Sequence, residues 1–414
     1  MSIGVVGSAP GRLTWCIAAT SDGDVVLSKD ALLQQVKAGI REISTEETQA
    51  RLAAAPELLL IDVREADEVA TGGIRGAKHL PRGFLELKIE ALEHRRDREV
   101  ILYCAGGNRS ALAAKSLGEM GYTQVSSLKG GFTAWKNAGL PWVVEPQLTA
   151  PQKVRYSRHL MLPEVGEEGQ KRLLGAKVLL VGAGGLGAPA AFYLGAAGIG
   201  TLGIVDPDVV DVSNLQRQII HREKDAGVPK VDSVERALGD LNPDVKVVKY
   251  QERLSSANIM RILDDGWEVV VDGCDNFQTR YLINDACVLR KLPNVHGSVF
   301  QFEGQASVFA PCLGGPCYRC LYPEPPPPGV APSCGEAGVI GALPGIIGTI
   351  QAMEALKLVL GKGQPLVGRL MQYDALEMKW REMKLRPDPK CPVCGPAATI
   401  KELIDYEAFC RLKA

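Results

Sequence analysis

The sequence predicts two successive α/β units with parallel sheets, and three observations carry that expectation. Short apolar runs alternate with helically spaced segments, the pattern of strands covered by helices. Two of these runs end in loops of special composition, Cys104–Arg109 and Gly182–Gly187. Between them, from Leu140 to Pro151, three prolines interrupt a stretch without periodicity.

The length of 414 residues fits two to three domains. Apolar residues make up 46% and charged residues 23%, an ordinary globular balance. Lys plus Arg number 47 and Asp plus Glu 48. The balance is also local, with 17 basic and 18 acidic side chains in residues 1–150 and 30 of each in residues 151–414. No basic footprint of the nucleic-acid kind is present. The first twenty residues lack a basic region ahead of an apolar one, and Pro10 and Arg12 interrupt them, so they do not read as a signal peptide. The most apolar stretch, Val339–Leu360, contains Pro344, Gln351, Glu354 and Lys357, and reads as a buried amphipathic helix rather than a membrane span. A cytoplasmic location is expected. In such a reducing compartment the eleven cysteines mean metal ligands, catalytic thiols or core filler.

Residues 1–27 carry no clear pattern and remain unassigned. Ser28 is placed to cap a short helix. Leu58–Asp62 and Val100–Cys104 are buried strands, and Ser110–Met120 is a helix with Leu112 and Leu117 taken as one face. The first domain is set at residues 28–142 and the linker at 143–151. The second domain, 152–414, opens with a strand at Lys177–Gly182, a helix at Leu186–Gly198 and a second strand at Gly200–Asp206. A third strand follows at Val269–Asp272. Pro323–Pro332 holds six prolines in ten positions, an irregular crossing segment.

Cys104-Ala-Gly-Gly-Asn-Arg109 lies between a strand and a helix. Amides at a helix N-terminus point outward and carry roughly half a positive charge, so the loop can hold an anion. Its glycines let the backbone curl toward the sulfur, and Arg109 adds a cation. A loop with one more residue before the Arg would suit a phosphate; this shorter one suits the terminal sulfur of a persulfide. The alternative is a buried, inert cysteine.

From Ile43 to Trp142 the chain resembles the rhodanese family. The likeness rests on Asp62-Val-Arg64-Glu65, Glu68, Gly72–Ala77 with His79-Leu-Pro81, the Cys104 loop, Leu128–Trp135 and Ala138–Pro141. It implies that Cys104 carries a persulfide and that Arg109 assists it. Many rhodaneses have Arg after the cysteine where this chain has Ala105, which favours a protein persulfide relay over thiosulfate as the sulfur source.

Gly182-Ala-Gly184-Gly185-Leu-Gly187 follows a strand and opens a helix, and Asp206 lies nineteen residues beyond at the end of the next strand. Alone this is a dinucleotide fingerprint and admits an NAD-dependent oxidoreductase. Arg217 in Ser213–Gln218, Lys230, and the carboxylate of Asp275 next to Asn276 argue instead for ATP and Mg²⁺, because they suit charge stabilisation at a phosphoryl group. Residues 150–410 resemble the MoeB/ThiF adenylyltransferases, relatives of the ubiquitin-activating enzymes. Here the match takes in Arg155–Arg158, the glycine loop, Ser213–Gln218, Lys230, Asp275-Asn276, Cys317–Cys320, Cys334–Gly338 and Gln372–Asp374. It implies a Rossmann-like adenylation fold and MgATP contacts from Gly182, Gly184, Gly185, Asp206, Ser213, Asn214, Arg217, Lys230, Asp275 and Asn276. It also implies a homodimer in which Arg158 reaches the neighbouring subunit's phosphates.

Cys317-x2-Cys320 and Cys391-x2-Cys394 are two knuckles that together offer a closed, structural zinc site; a redox dithiol is the alternative. The resemblance to the MoeB/ThiF enzymes implies that Cys334, after the proline-rich segment, can form a transient thioester or disulfide with a carrier protein; the alternative is a small residue packed at a helix start. Cys16, Cys274, Cys287, Cys312 and Cys410 are read as filler. The expected activity is adenylation of the C-terminal glycine of a small ubiquitin-like sulfur carrier ending in Gly-Gly. The Cys104 persulfide, loaded by a donor such as a cysteine desulfurase, then forms the thiocarboxylate. The carrier would serve molybdopterin, thiamin or related sulfur metabolism. The alternatives are an adenylyltransferase with a regulatory rhodanese domain and a non-catalytic scaffold for a ubiquitin-like protein. Neither nucleic acid nor membrane is an expected partner.

Overall fold

The computed structural model describes residues 28–55, 57–144, 147–326 and 338–411. Internal contacts divide the chain between Gln147 and Leu148.

In the first unit, β1 (Arg41–Ile43), β2 (Leu59–Asp62), β3 (Lys78–His79), β4 (Val100–Tyr103) and β5 (Val125–Leu128) form a sheet in the order β1-β5-β4-β2-β3. Every pairing is parallel. β2 and β4 are buried along their whole length, as central strands covered on both faces must be. Two apolar clusters, one around Leu59, Leu85 and Leu117 and one around Ile101, Phe132 and Trp135, fill the two faces. Ser28 caps Lys29–Ala38 as expected, its hydroxyl accepting from Ala31 N–H. The helix Asn108–Glu119 corrects the proposed Leu112/Leu117 face. Those positions lie about 140° apart around a helix. The buried face is Ser110, Ala113, Ala114 and Leu117, and Leu112 is half-buried.

In the second unit, β6 (Lys177–Val181), β7 (Thr201–Val205), β8 (Lys246–Tyr250) and β9 (Val269–Asp272) are parallel in the order β9-β6-β7-β8. β10 (Asn294–Phe300) adds to β9 in parallel. β11 (Glu303–Phe309), β12 (Arg369–Asp374) and β13 (Lys379–Lys384) then continue the sheet antiparallel, to eight strands. Sequence periodicity had reached only β6, β7 and β9 of these. Two large clusters cover the two sides. After β6 the chain moves outward to β7 and β8, then returns to the other side of β6 as β9. That reversal opens a crevice beyond the C-terminal ends of β6 and β9.

The helix Ala342–Leu360 is long and apolar enough to cross a membrane by length and composition. Here it lies against the helix Gly187–Ala197 and against β10 and β11. Its polar residues do not form the outer face that an amphipathic reading requires. Gln351 is buried and donates to the carbonyls of Asp272 and Val295, and buried Glu354 accepts from Leu366 N–H, while Met353 faces outward.

Candidate functional site

The first site sits at the C-terminal end of β4. Cys104 is buried, and its Sγ accepts a hydrogen bond from Gly107 N–H at 3.1 Å. The Ser110 hydroxyl lies 3.6 Å from the sulfur and accepts from Ser127 at 2.9 Å. The carbonyls of Cys104 and Ala105 turn the other way, accepting from Phe132 N–H and Thr133 N–H at the start of the helix Gly131–Asn137. With these two carbonyls turned away, the Gly107 amide faces the sulfur. Gly131 permits the arrangement. Its φ is +59°, and a Cβ there would stand 2.2 Å from the Cys104 carbonyl oxygen.

Arg109 does not stand alone. It makes a two-pronged pair with Glu68, both N···O distances 2.6 Å. The Arg109 guanidinium holds the Glu68 carboxyl down to about 2, and Arg109 itself is pushed up by that pair. Glu68 is placed in turn by Arg64, which donates to the Glu68 carbonyl while bound to buried Asp62 at 2.6 Å. Single-sequence spacing carries no signal for the Glu68–Arg109 pair or for the approach of Ser110 to the sulfur.

The second site is the crevice at β6 and β9, a cavity of about 910 Å³. Most small-molecule sites fall at or below roughly 1,000 Å³. Gly182, Gly184, Gly185, Asp206, Arg217, Lys230, Asp275 and Asn276 all line it. Gly182 has φ +96°, and a Cβ there would meet the Gly273 carbonyl at 2.9 Å, so the loops after β6 and β9 touch through backbone. Asp206 organises that loop. Its two oxygens accept from Ala183 N–H at 2.8 Å and Asp208 N–H at 2.9 Å. Burial pushes its carboxyl up, opposed by Lys230 at 4.0 Å. Lys230 is buried and also pairs with Asp208 at 3.0 Å.

Asp272 and Asp275 divide the work after β9. Asp272 is fully buried and accepts from Cys274 N–H at 3.1 Å, from the Cys274 thiol at 2.7 Å and from His296 at 2.8 Å. That clamp fixes the turn that presents Asp275, whose side chain is exposed to the cavity. Asn276 lines the cavity too, but its side-chain oxygen caps Phe277–Arg290 through Thr279 N–H. Ser213 and Asn214 lie in the turn Val212–Asn214, with the Ser213 hydroxyl on Asp211 at 2.5 Å. Neither is part of the cavity wall. Arg158 is exposed, 3.9 Å from Met161 Sδ, and also outside that wall.

The third site joins the two knuckles. Sγ–Sγ separations are 3.9 Å for Cys317–Cys320, 3.5 Å for Cys317–Cys391 and 3.4 Å for Cys320–Cys394. All four sulfurs lie within 4.8 Å of one another. A tetrahedron with Zn–S bonds near 2.3 Å has edges of about 3.8 Å, so the four thiols fit zinc. Asp388 N–H donates to Cys320 Sγ at 3.3 Å, as an outer partner of a thiolate should. Metal analysis is expected to find one zinc per chain. Cys391→Ser should lower both that content and the folding stability, by about 4 kcal/mol; an unchanged melting transition in a zinc-free variant would overturn the structural role. Among the cysteines read as filler, Cys274 and Cys287 are buried and Cys410 is half-buried, but Cys312 is exposed and fills nothing. Cys334 and Cys16 lie outside the described residues.

Comparison with known proteins follows the same division. The model of the ThiF family matches residues 156–393, and that of the rhodanese-like domain matches residues 44–138. A sulfur carrier protein adenylyltransferase of Thermus thermophilus is 53% identical over 263 residues, covering 63% of this chain and 97% of the relative. The probable adenylyltransferase/sulfurtransferase MoeZ of Mycobacterium tuberculosis is 50% identical over 283 residues, 67% of this chain and 70% of that one. Among solved structures, E. coli MccB with MccA-N7isoASN superposes with a TM-score of 0.51 at 21% identity, over 60% of this chain and 76% of that one, a likeness of fold.

Proposed function

The chain belongs to the ThiF family and carries a rhodanese-like domain ahead of it, and from that footing we propose that it converts the C-terminal carboxylate of a small ubiquitin-like sulfur carrier into a thiocarboxylate. The observation that carries the reading is the crevice itself. An arginine, a buried lysine and an exposed carboxylate converge there on a glycine loop at a helix start. That set suits triphosphate chemistry, and no hydride-transfer site requires it. A carboxylate oxygen of the carrier attacks the α-phosphorus of ATP, the bond to the β-phosphate oxygen breaks, and pyrophosphate leaves. Arg217 and Lys230 stabilise the charge that develops. Asp275 would hold Mg²⁺, which supplies further neutralisation of the phosphates.

The terminal sulfur of a Cys104 persulfide then attacks the acyl carbon, and AMP leaves with the C–O electron pair. A second thiol, Cys334 being the candidate, attacks the Cys104 sulfur of the acyl disulfide. The S–S bond breaks and the thiocarboxylate departs. Cys104 is 1% exposed, so the added sulfur, about 2 Å farther out, brings the nucleophile toward the mouth of the loop. This leaves Cys104 and Cys334 joined by a disulfide, which a thiol reductant opens with two electrons; a persulfide donor such as a cysteine desulfurase then reloads the free Cys104 thiol. The assembly proposed is a homodimer, with Arg158 as the residue that reaches across it.

The test is mass spectrometry of candidate carriers incubated with the protein, ATP and a persulfide donor. Conversion of a terminal carboxylate to thiocarboxylate is the expected result. Carriers that remain unchanged, although they support ATP–pyrophosphate exchange, would favour a second reading, an adenylyltransferase with a regulatory rhodanese domain. The deep burial of Cys104 and the use of Arg109's charge by Glu68 favour that reading.

A further inference from the structure

The ThiF match ends at Val393, yet the chain continues and reaches the nucleotide cavity again. Leu403, Ile404 and Tyr406 line that cavity. Two anchors hold them. On one side the Ser256 hydroxyl donates to the Ile404 carbonyl at 2.6 Å. On the other, the Tyr406 hydroxyl donates to Asp285 at 2.8 Å. Asp285 is fully buried and takes a two-pronged pair from Arg319, at 2.9 and 2.8 Å. Arg319 lies under the ring of Phe409 at 4.5 Å, and Tyr281 meets the same ring edge-on at 5.2 Å. In sequence Arg319 stands between Cys317 and Cys320, the first knuckle. The segment thus leaves the cysteine cluster at Cys394 and is caught again by a residue of that cluster's own helix, Tyr318–Leu321.

The sheet order says which part of a nucleotide this segment meets. The glycine loop follows β6, which sets the phosphate end. Asp206 follows β7, the ribose position of such a fold. β8 lies beyond β7, so the base falls past the ribose, toward the residues after β8. Those residues, Glu252 to Ala257, line the cavity and include Ser256, the anchor of Ile404. Leu254, Leu403 and Ile404 are half-buried and pack on the cluster that contains Tyr406, offering an apolar surface to a flat ring.

Resting on the adenylation reading, we propose that Leu403–Tyr406 is the wall of the base-binding subsite. The buried Asp285–Arg319 pair, with Tyr406, is its positioning device, and it ties the subsite to the four-cysteine cluster.

The experiment measures binding of ATP and, separately, of inorganic pyrophosphate to the full chain by calorimetry. No carrier protein is present. Ile404→Ala is expected to weaken ATP about five- to tenfold and to narrow the preference for ATP over GTP. Pyrophosphate affinity should not move, because the phosphate end is untouched. Tyr406→Phe keeps the ring and loses the bond to Asp285; amides in residues 403–411 should exchange faster, with weaker ATP binding. Stripping the cluster with a chelator should speed exchange in the same amides. Wild type failing to bind ATP would overturn the adenylation reading and the wall with it. Unchanged ATP affinity in Ile404→Ala, or equal weakening of ATP and pyrophosphate, would overturn the wall alone. Unchanged exchange after Tyr406→Phe or chelation would overturn the positioning role.

Discussion

Cys104→Ala is expected to abolish thiocarboxylate formation, by at least about a thousandfold, while leaving carrier-dependent ATP–pyrophosphate exchange within about twofold. The structure gives reasons for both halves. The thiol is the sulfur that the Gly107 amide and Ser110 surround, and Ala has nothing to carry a persulfide. The loop that holds it does not depend on that thiol. Its shape is fixed by the Cys104 and Ala105 carbonyls on Phe132 and Thr133 N–H, and these backbone bonds survive. Removing one buried sulfur leaves a small void, a cost of roughly 1 kcal/mol. Residues 1–147 and 148–414 have separate cores, so the crevice should keep its form. Loss of exchange in a folded variant would count against separate sites. Retained thiocarboxylate formation would remove Cys104 from the chemistry and leave the rhodanese-like unit a regulatory part.

Much of this organisation was legible because it is local. Backbone geometry forces glycine where Gly182 meets Gly273. A six-residue loop between strand and helix, and cysteines three apart, are likewise requirements of adjacent residues. Partnerships across long sequence distance left no such mark. Glu68 and Arg109 are 41 residues apart, and Asp285 and Tyr406 are 121 apart. Strand β13 shows no apolar alternation for a related reason: it is exposed along its length and carries Lys379, Arg381, Glu382 and Lys384. An amphipathic helix would turn Gln351 and Glu354 toward solvent, whereas here they satisfy backbone groups inside. The Leu112/Leu117 error was one of helical geometry, since five residues is not a repeat of the helix.

The complementary experiment needs a residue that can be removed without disturbing the fold, and the geometry selects among three. Lys230 is buried against Asp206 and Asp208. Its loss would leave the buried Asp206 without its cation, and lost activity would be confounded with lost structure. Asp272 is worse placed, because its carboxylate holds His296 and the Cys274 turn inside the core. Asp275 alone combines exposure with a position on the cavity wall. Asp275→Ala should therefore change stability by no more than about 0.5 kcal/mol. It should lower carrier-dependent ATP–pyrophosphate exchange by about 10²- to 10³-fold, the scale of removing one charge-stabilising group at a phosphoryl centre. If Asp275 holds the ion as proposed, the remaining activity should demand more Mg²⁺, because the phosphates must then recruit it unaided. Loading of Cys104 by a persulfide donor should be unaffected, since that cysteine belongs to the other unit. Exchange that persists at wild-type level would move the metal-holding carboxylate elsewhere in the crevice. Loss of Cys104 loading in the same variant would show that the two chemistries are not separable.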